Sequence, residues 1–310
     1  MTIIFADPIF EQHRTGYHPE SPKRISESLH RLASRPWYQD LVKGRFDAVS
    51  EERLLRTHDA QVIDRLKAAC AAGGGHLDSD TFVSPESLET SKLAAGAAIA
   101  ACEQVISGSS ANAFCLLRPP GHHANREASR GFCVFNNVAV AAHYALDVHS
   151  LHRILIIDFD VHHGDGTQAI FYEDPAVDYL SIHRYPFYPG TGHQSETGSG
   201  QALGGTHNLP IAYGSSREKY LESFQKGLET ALKHSKPELI LLSAGFDAHK
   251  ADPVGSLDLE YEDFITITRW IKEAAEIYAK GRLVSLLEGG YNLDTLPVLV
   301  EDHIRVLSGN

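Results

Sequence analysis

Hydrophobic positions along the chain fall into short unbroken runs separated by longer stretches of mixed character. Ala113–Leu117, Ile154–Ile157, Val177–Ile182, Leu239–Leu242 and Leu283–Leu287 are such runs. Continuous apolar runs, rather than alternation, are what strands covered on both faces require. Helical stretches lie between them. One is expected to open at Ser84-Pro85-Glu86, with Ser84 as cap and Pro85 at the first helical position, and to close near Gly108. Others are expected over Asn137–Leu146, Ser216–His234, Glu262–Lys280 and Leu296–Leu307. Alternating strands and helices predict a three-layer α/β/α domain with a mainly parallel sheet, spanning residues 1–310 as one unit.

In such sheets, ligands bind beyond the carboxyl ends of the strands. The polar residues here collect at those ends. Ala113–Leu117 runs into Arg118-Pro119-Pro120-Gly121-His122-His123, and Ile154–Ile157 into Asp158-Phe159-Asp160-Val161-His162-His163-Gly164-Asp165. Leu239–Leu242 runs into Ser243-Ala244-Gly245-Phe246-Asp247, and Leu283–Leu287 into Glu288-Gly289-Gly290-Tyr291.

Extended residues at i, i+2 and i+4 share a face, so Asp158, Asp160 and His162 are expected to converge. A lone strand-end Asp commonly caps the next helix, but two close carboxylates repel unless a cation lies between them. Mixed oxygen and nitrogen ligands suit Zn²⁺, and a catalytic zinc keeps three protein ligands and an open position. Asp160 and His162 supply two of these and Asp247 the third. Asp158 then lies behind them, and His163 points to the opposite face as a structural residue. His122 and His123 follow a stiff Pro-Pro-Gly turn, and Asp158 and Asp165 are available to orient one imidazole each, freeing the other ring nitrogen for proton transfer. For Tyr291, delivery to the pocket by Gly289-Gly290 and packing on a strand end are equally supported by spacing alone.

Composition narrows the partners. The formal net charge is −12 and the isoelectric point about 5.8, which argues against backbone-driven nucleic-acid binding and against docking on anionic membranes. Cys70, Cys102, Cys115 and Cys133 form no CxxC pair and sit in apolar surroundings, as expected of reduced thiols in the cytoplasm. The start, from Met1 to Pro8, has no basic segment and no long apolar stretch, so no signal peptide is expected, and no apolar run reaches membrane-spanning length.

The segments Arg118–Ala124, Gly131-Phe132-Cys133-Val134-Phe135-Asn136-Asn137, Asp158–Gly166, Tyr188-Pro189-Gly190-Thr191-Gly192, Gly245-Phe246-Asp247 and Glu288–Tyr291 resemble the zinc-dependent histone deacetylases. His18-Pro19-Glu20-Ser21-Pro22-Lys23-Arg24 and Phe135-Asn136-Asn137 are most similar to the class II branch, which includes bacterial deacetylase-like amidohydrolases and acetylpolyamine amidohydrolases. The resemblance implies an arginase-like fold. It implies zinc, with iron(II) as an alternative in the cell, on Asp160, His162 and Asp247. It pairs His122 with Asp158 and His123 with Asp165, and has Tyr291 polarise the scissile carbonyl. Phe132 and Tyr188 would wall a tunnel for the acyl-lysine stem, with the Gly131 carbonyl accepting the amide N–H. Potassium would be held by Asp158, backbone oxygens of Asp160, His162 and Ile182, and Ser181. Hydroxamates would inhibit, and oligomers are possible.

The reaction so implied is amide hydrolysis by metal-activated water, with the histidine pair moving the proton. Acyl-lysine proteins or peptides are the expected substrates and acetylpolyamines or other small acylated amines the alternative, because Val254 stands where polyamine-selective relatives carry a Glu. A two-manganese ureohydrolase would need a carboxylate two residues after Asp247, where His249 stands. A non-catalytic acyl-lysine binder is disfavoured because every catalytic position is filled. The length, without an evident tail or second catalytic domain, gives no basis for inferring the regulation seen in longer relatives.

Overall fold

The computed structural model describes residues 1–310. Its strands are β1 (Thr2–Ala6), β2 (Val42–Lys43), β3 (Gly75–His76), β4 (Phe82–Val83), β5 (Asn112–Leu116), β6 (Ile154–Asp158), β7 (Val177–Arg184), β8 (Thr206–Ile211), β9 (Leu239–Ala244) and β10 (Leu283–Leu287). Its α-helices are α1 (Lys23–Ala33), α2 (Pro36–Gln39), α3 (Glu51–Leu55), α4 (Ala60–Ala71), α5 (Ser87–Ile106), α6 (Asn137–His149), α7 (Asp165–Phe171), α8 (Arg217–Ser235), α9 (Tyr261–Tyr278) and α10 (Leu296–Ser308). Eight strands form one sheet in the order β2-β1-β5-β10-β9-β6-β7-β8, and every pairing in it is parallel. β3 and β4 form a separate antiparallel pair.

The five expected strands are all present, and they are contiguous: β5, β10, β9, β6 and β7 stand side by side. Each of β5, β6, β9 and β10 is buried along its whole length, which accounts for the unbroken apolar runs. Helices cover the sheet in two groups. α5 packs on α6, and α1, α10, α9 and α8 pack in succession. The result is the three-layer α/β/α arrangement expected from the sequence.

Local chemistry sets the helix ends. The Asn136 side chain accepts a hydrogen bond from Ala139 N–H to start α6, and Ser216 accepts one from Lys219 N–H to start α8. α9 opens with a reciprocal box between Glu260 and Asp263. α5 departs from expectation. Pro85 and Glu86 form a turn, and the Ser87 hydroxyl accepts from Ser84 N–H at 2.8 Å, so the helix begins at Ser87 rather than at Pro85.

Candidate active site

Contiguity of the central strands brings their carboxyl-end loops together. Asp160, His162 and Asp247 are buried and offer three ligand atoms within 4.8 Å of one another. They converge by a route other than a pleat. β6 ends at Asp158, and the chain then turns. Asp158 Oδ1 accepts the Asp160 N–H at 3.1 Å, and Asp160 Oδ1 accepts the His162 N–H at 3.0 Å. These side-chain-to-backbone turns, of a kind short carboxylates favour, replace the extended geometry expected from the sequence.

His162 Nδ1 lies 3.1 Å from Asp160 Oδ1 and 3.1 Å from Asp247 Oδ2. Asp247 Oδ1 accepts the Val161 N–H at 2.9 Å, while Oδ2 is buried without an aligned hydrogen bond. Burial and the charge of Asp160 push the Asp247 carboxyl up to about 7. For Asp160, burial acts the same way but His122 and His162 outweigh it and hold the carboxyl below its usual range. Burial opposes charge on His162, yet its hydrogen bond to Asp160 and the adjacent Asp247 carboxylate raise it to about 9. Two buried carboxylates forced apart in titration, an orphaned oxygen and a two-oxygen, one-nitrogen donor set fit a divalent cation such as zinc. The space is reserved by glycine: a Cβ on Gly289 would stand 2.5 Å from Asp160 Oδ2 and collide with Asp247 Oδ2.

His122 and His123 lie beside this trio, with ring centroids 4.0 Å apart. His122 Nδ1 is 2.9 Å from Asp158 Oδ2, which also accepts from the Tyr179 hydroxyl at 3.0 Å. His123 Nδ1 is 2.8 Å from Asp165 Oδ1, and Arg130 holds the other oxygen of Asp165 at 3.2 Å. Burial disfavours charge on both rings. For His122, Asp158 and Asp160 overcome it and raise the pKa well above the ordinary value. For His123, burial and the adjacent His122 lower it to about 3.

Tyr291 lies within 5.0 Å of the Arg24 guanidinium carbon, and burial and the charges of Asp247 and Asp160 keep its phenol protonated. Its loop is held from both sides. Arg24 Nε donates to the Gly290 carbonyl at 2.7 Å, and Asp252 Oδ2 accepts the Tyr291 N–H at 2.7 Å. The same Asp252 accepts from Val254 and Gly255 N–H.

A cavity of about 240 Å³ leads to these groups, lined by Asp80, His123, Gly131, Phe132, His162, Phe187, Tyr188, Val254 and Tyr291. Phe132 meets Tyr291 edge-on at 5.7 Å, and Phe187 stacks on His162 at 5.1 Å. Gly131 has φ +57, and a Cβ there would stand 2.6 Å from the His123 ring. Sequence reasoning passed over Phe187 and Asp80. Phe187 was signalled only by adjacency to Tyr188, and Asp80 by nothing beyond the Asp78-Ser79-Asp80 cluster. Burial and Asp78 hold the Asp80 carboxyl above its usual range.

Other expected residues fall as follows. His163 contacts Thr191 Oγ1 at 2.8 Å and Gln168 Oε1 at 3.0 Å, apart from Asp160, His162 and Asp247. His249 packs on Tyr261. Asp158 and Ser181 are cross-strand partners, with Ile182 next along β7, and the Ser181 hydroxyl is 2.9 Å from His183 Nδ1. His122, Cys133 and Glu288 also lie close together. The carboxylate there is already engaged by Gly121 and His122 N–H and by Ser243, and burial holds the Cys133 thiol protonated. All four cysteines are buried and free. No helix is long and apolar enough to cross a membrane.

Residues 18–307 match the histone deacetylase domain family. A histone deacetylase-like amidohydrolase of Pseudomonas aeruginosa is 40% identical over 84% of this chain and 69% of its own. The polyamine deacetylase HDAC10 of Homo sapiens is 37% identical over 94% of this chain and 45% of its own. The crystal structure of the HDA15 HD domain superposes with a TM-score of 0.94 at 31% identity, covering 100% of this chain and 88% of that one. The chain therefore belongs to the histone deacetylase family, in its class II-like and bacterial branch, a group of amide-bond hydrolases that generally depends on zinc.

Proposed function

We propose that residues 1–310 act as one deacetylase domain, a zinc-dependent amidohydrolase that removes acetyl groups from lysine side chains of proteins or peptides. The observation that carries this reading is an aromatic cavity whose lining includes His123, His162 and Tyr291, with Asp160 and Asp247 clustered against His162. Asp160, His162 and Asp247 would hold zinc, or iron(II) in the cell, which would supply Lewis acidity toward an amide carbonyl and a water.

The protein's own groups do the rest. With Nδ1 of His122 and His123 turned to Asp158 and Asp165, the Nε2 of His123 remains to take a proton from the attacking water and return it to the departing amine, with the His122 ring beside it. His123, neutral at ordinary pH, suits the acceptor role, and His122, held protonated by its carboxylates, suits the stabilising one. The protonated Tyr291 hydroxyl donates to the oxygen that gains charge. Phe132 and Tyr188 flank the methylene stem, and the Gly131 carbonyl accepts the substrate N–H. Potassium at Asp158, Ser181 and the backbone oxygens of Asp160, His162 and Ile182 completes the assignment. The unpaired thiols support a cytoplasmic setting, and hydroxamates are expected to inhibit at the open metal position.

A second reading, deacetylation of acetylpolyamines or other small acylated amines, is supported by Asp80, a carboxylate lining the cavity. Against it stands Val254, apolar in the same lining. The test is kcat/KM on a panel of acetyl-lysine peptides and acetylpolyamines, with metal analysis of the same sample. Preference for peptides supports the first reading, and a tenfold or greater preference for acetylspermidine replaces it with the second.

A further inference from the structure

We infer that Asp178, His207 and His234 form a second divalent-metal site, of the zinc class, remote from the catalytic pocket. Three elements supply it. Asp178 lies near the start of β7, His207 lies on the edge strand β8, and His234 lies in the last turn of α8. β7 and β8 pair Leu180 with His207, so Asp178 and His207 stand diagonally across neighbouring strands. α8 packs on both strands. The catalytic groups gather at the carboxyl end of the sheet, whereas Asp178 is paired with Leu155, near the amino end of β6.

One ligand atom from each residue lies within 4.8 Å of the other two. Asp178 Oδ2 is 2.6 Å from His234 Nδ1 and 3.6 Å from His207 Nε2, and the two imidazole centroids are 5.7 Å apart. The 2.6 Å contact is a hydrogen bond, but 3.6 Å is not one. His207 Nε2 is thus a buried nitrogen without a partner, aimed at a carboxylate it does not reach. Buried polar atoms are normally satisfied, and an ion between these groups satisfies this one. Gly205 keeps the backbone clear of the other carboxylate oxygen, since a Cβ there would stand 3.1 Å from Asp178 Oδ1. The side chains of Asp178 and His207 are 8% and 11% exposed and that of His234 is 49% exposed. The site is therefore held on two sides and open on the third, with a coordination position left for water.

Two imidazoles and one carboxylate suit Zn²⁺, with Cu²⁺ and Ni²⁺ as competitors for the same donors. The ion takes the place of the hydrogen bond between Asp178 and His234. Its consequence is mechanical. It ties the end of α8 to the outermost strand, where β8 has a neighbour on one side alone.

The test is elemental analysis of the whole protein equilibrated with buffered zinc and passed through a desalting column. Two equivalents per chain are expected. His234→Ala and His207→Gln should each retain one, with turnover of an acetyl-lysine peptide within about twofold of the parent. Added zinc should raise the thermal midpoint of His162→Ala protein, and adding His234→Ala should abolish that rise. His234 is half exposed, so its truncation is compatible with folding even if His207→Gln is not. A zinc content unchanged by His234→Ala overturns the proposal, as does an unchanged midpoint shift in the double variant. With the catalytic trio broken by His162→Ala, the midpoint shift reports on the second site alone, so the two metal assignments fail separately.

Discussion

Gly289→Ala is the smallest change that strikes the proposed catalytic metal centre without removing a ligand. A Cβ at residue 289 would lie 2.5 Å from Asp160 Oδ2, 2.7 Å from Asp247 Cγ and closer still to Asp247 Oδ2, where ordinary contact begins at 3.4 Å. Asp160 Oδ2 must therefore retreat by about 0.9 Å, and it loses the 2.8 Å hydrogen bond from Gly289 N–H that now holds it. Metal sites tolerate ligand displacements of roughly 0.2 Å, and disturbing the groups that orient ligands typically costs about 10–100-fold in metal affinity. With two of three ligands displaced, a loss of about 100-fold or more is expected, or ~2.7 kcal/mol. The assay is zinc competition against a chelator of known affinity, run beside kcat/KM and the thermal midpoint. Gly164→Ala is the matched control. Its Cβ would collide with Asp158 Oδ2 and stand 3.0 Å from His122 Nδ1, touching the proton-transfer pair and not the trio. It should keep zinc and lose turnover. Wild-type zinc affinity in Gly289→Ala refutes the reasoning.

Tyr291→Phe should lower kcat by at least about 100-fold with zinc content unchanged, because its hydroxyl acts on the developing oxyanion; turnover within threefold of the parent removes the assignment. His123→Ala should likewise retain zinc and lose turnover, and rescue by added imidazole would strengthen the reading. Val254→Glu should shift the kcat/KM ratio from acetyl-lysine peptide toward acetylspermidine by about tenfold, equivalent to ~1.4 kcal/mol; an unmoved ratio shows that residue 254 does not set selectivity. Burial holds His303 at about 3 in the fold, against an ordinary value of 6.5. Because the folded value is the lower, the unfolded chain binds more protons as acid is added. The stability is complete above pH ~6.5 and declines toward pH 3, by about 2 kcal/mol from this residue at pH 5. His303→Gln should make the slope of unfolding free energy shallower by about one proton between pH 6 and 4, and identical slopes would contradict the argument.

Strands buried on both faces announce themselves as unbroken apolar runs, so β5, β6, β7, β9 and β10 were legible, and with them the strand ends that carry the site. Within the main sheet, the strands passed over lie at its flanks. β8 reads Thr-His-Asn-Leu-Pro-Ile, with polar residues and a proline that an edge strand tolerates and a central one does not. β1 was short and hidden in the opening residues, and the two residues of β2 are exposed. α1 escaped because its buried face is built from Arg24, Ile25, Ser28 and Leu32, two of them polar. Arg24 is polar for a reason. With Arg118 it surrounds the buried Glu20, whose carboxyl the arginines hold at about 2 against the cost of burial, and it anchors the Tyr291 loop. At the site, residue types and strand order brought the right side chains together, but the route from Asp158 to His162 depended on carboxylate-to-backbone hydrogen bonds that a period-2 argument does not contain. Asp80 and Phe187 arrive from loops whose approach to the cavity is fixed by tertiary packing and has no local signature.

The central claim is that Asp160, His162 and Asp247 hold the zinc on which amide hydrolysis depends. Its most direct test follows acetate release from an acetyl-lysine peptide as zinc is returned to metal-stripped protein, with Asp247→Asn carried in parallel. The parent protein should regain turnover with added zinc, and Asp247→Asn should not. Stripped protein as active as the zinc-loaded form, or full recovery by Asp247→Asn, would contradict it.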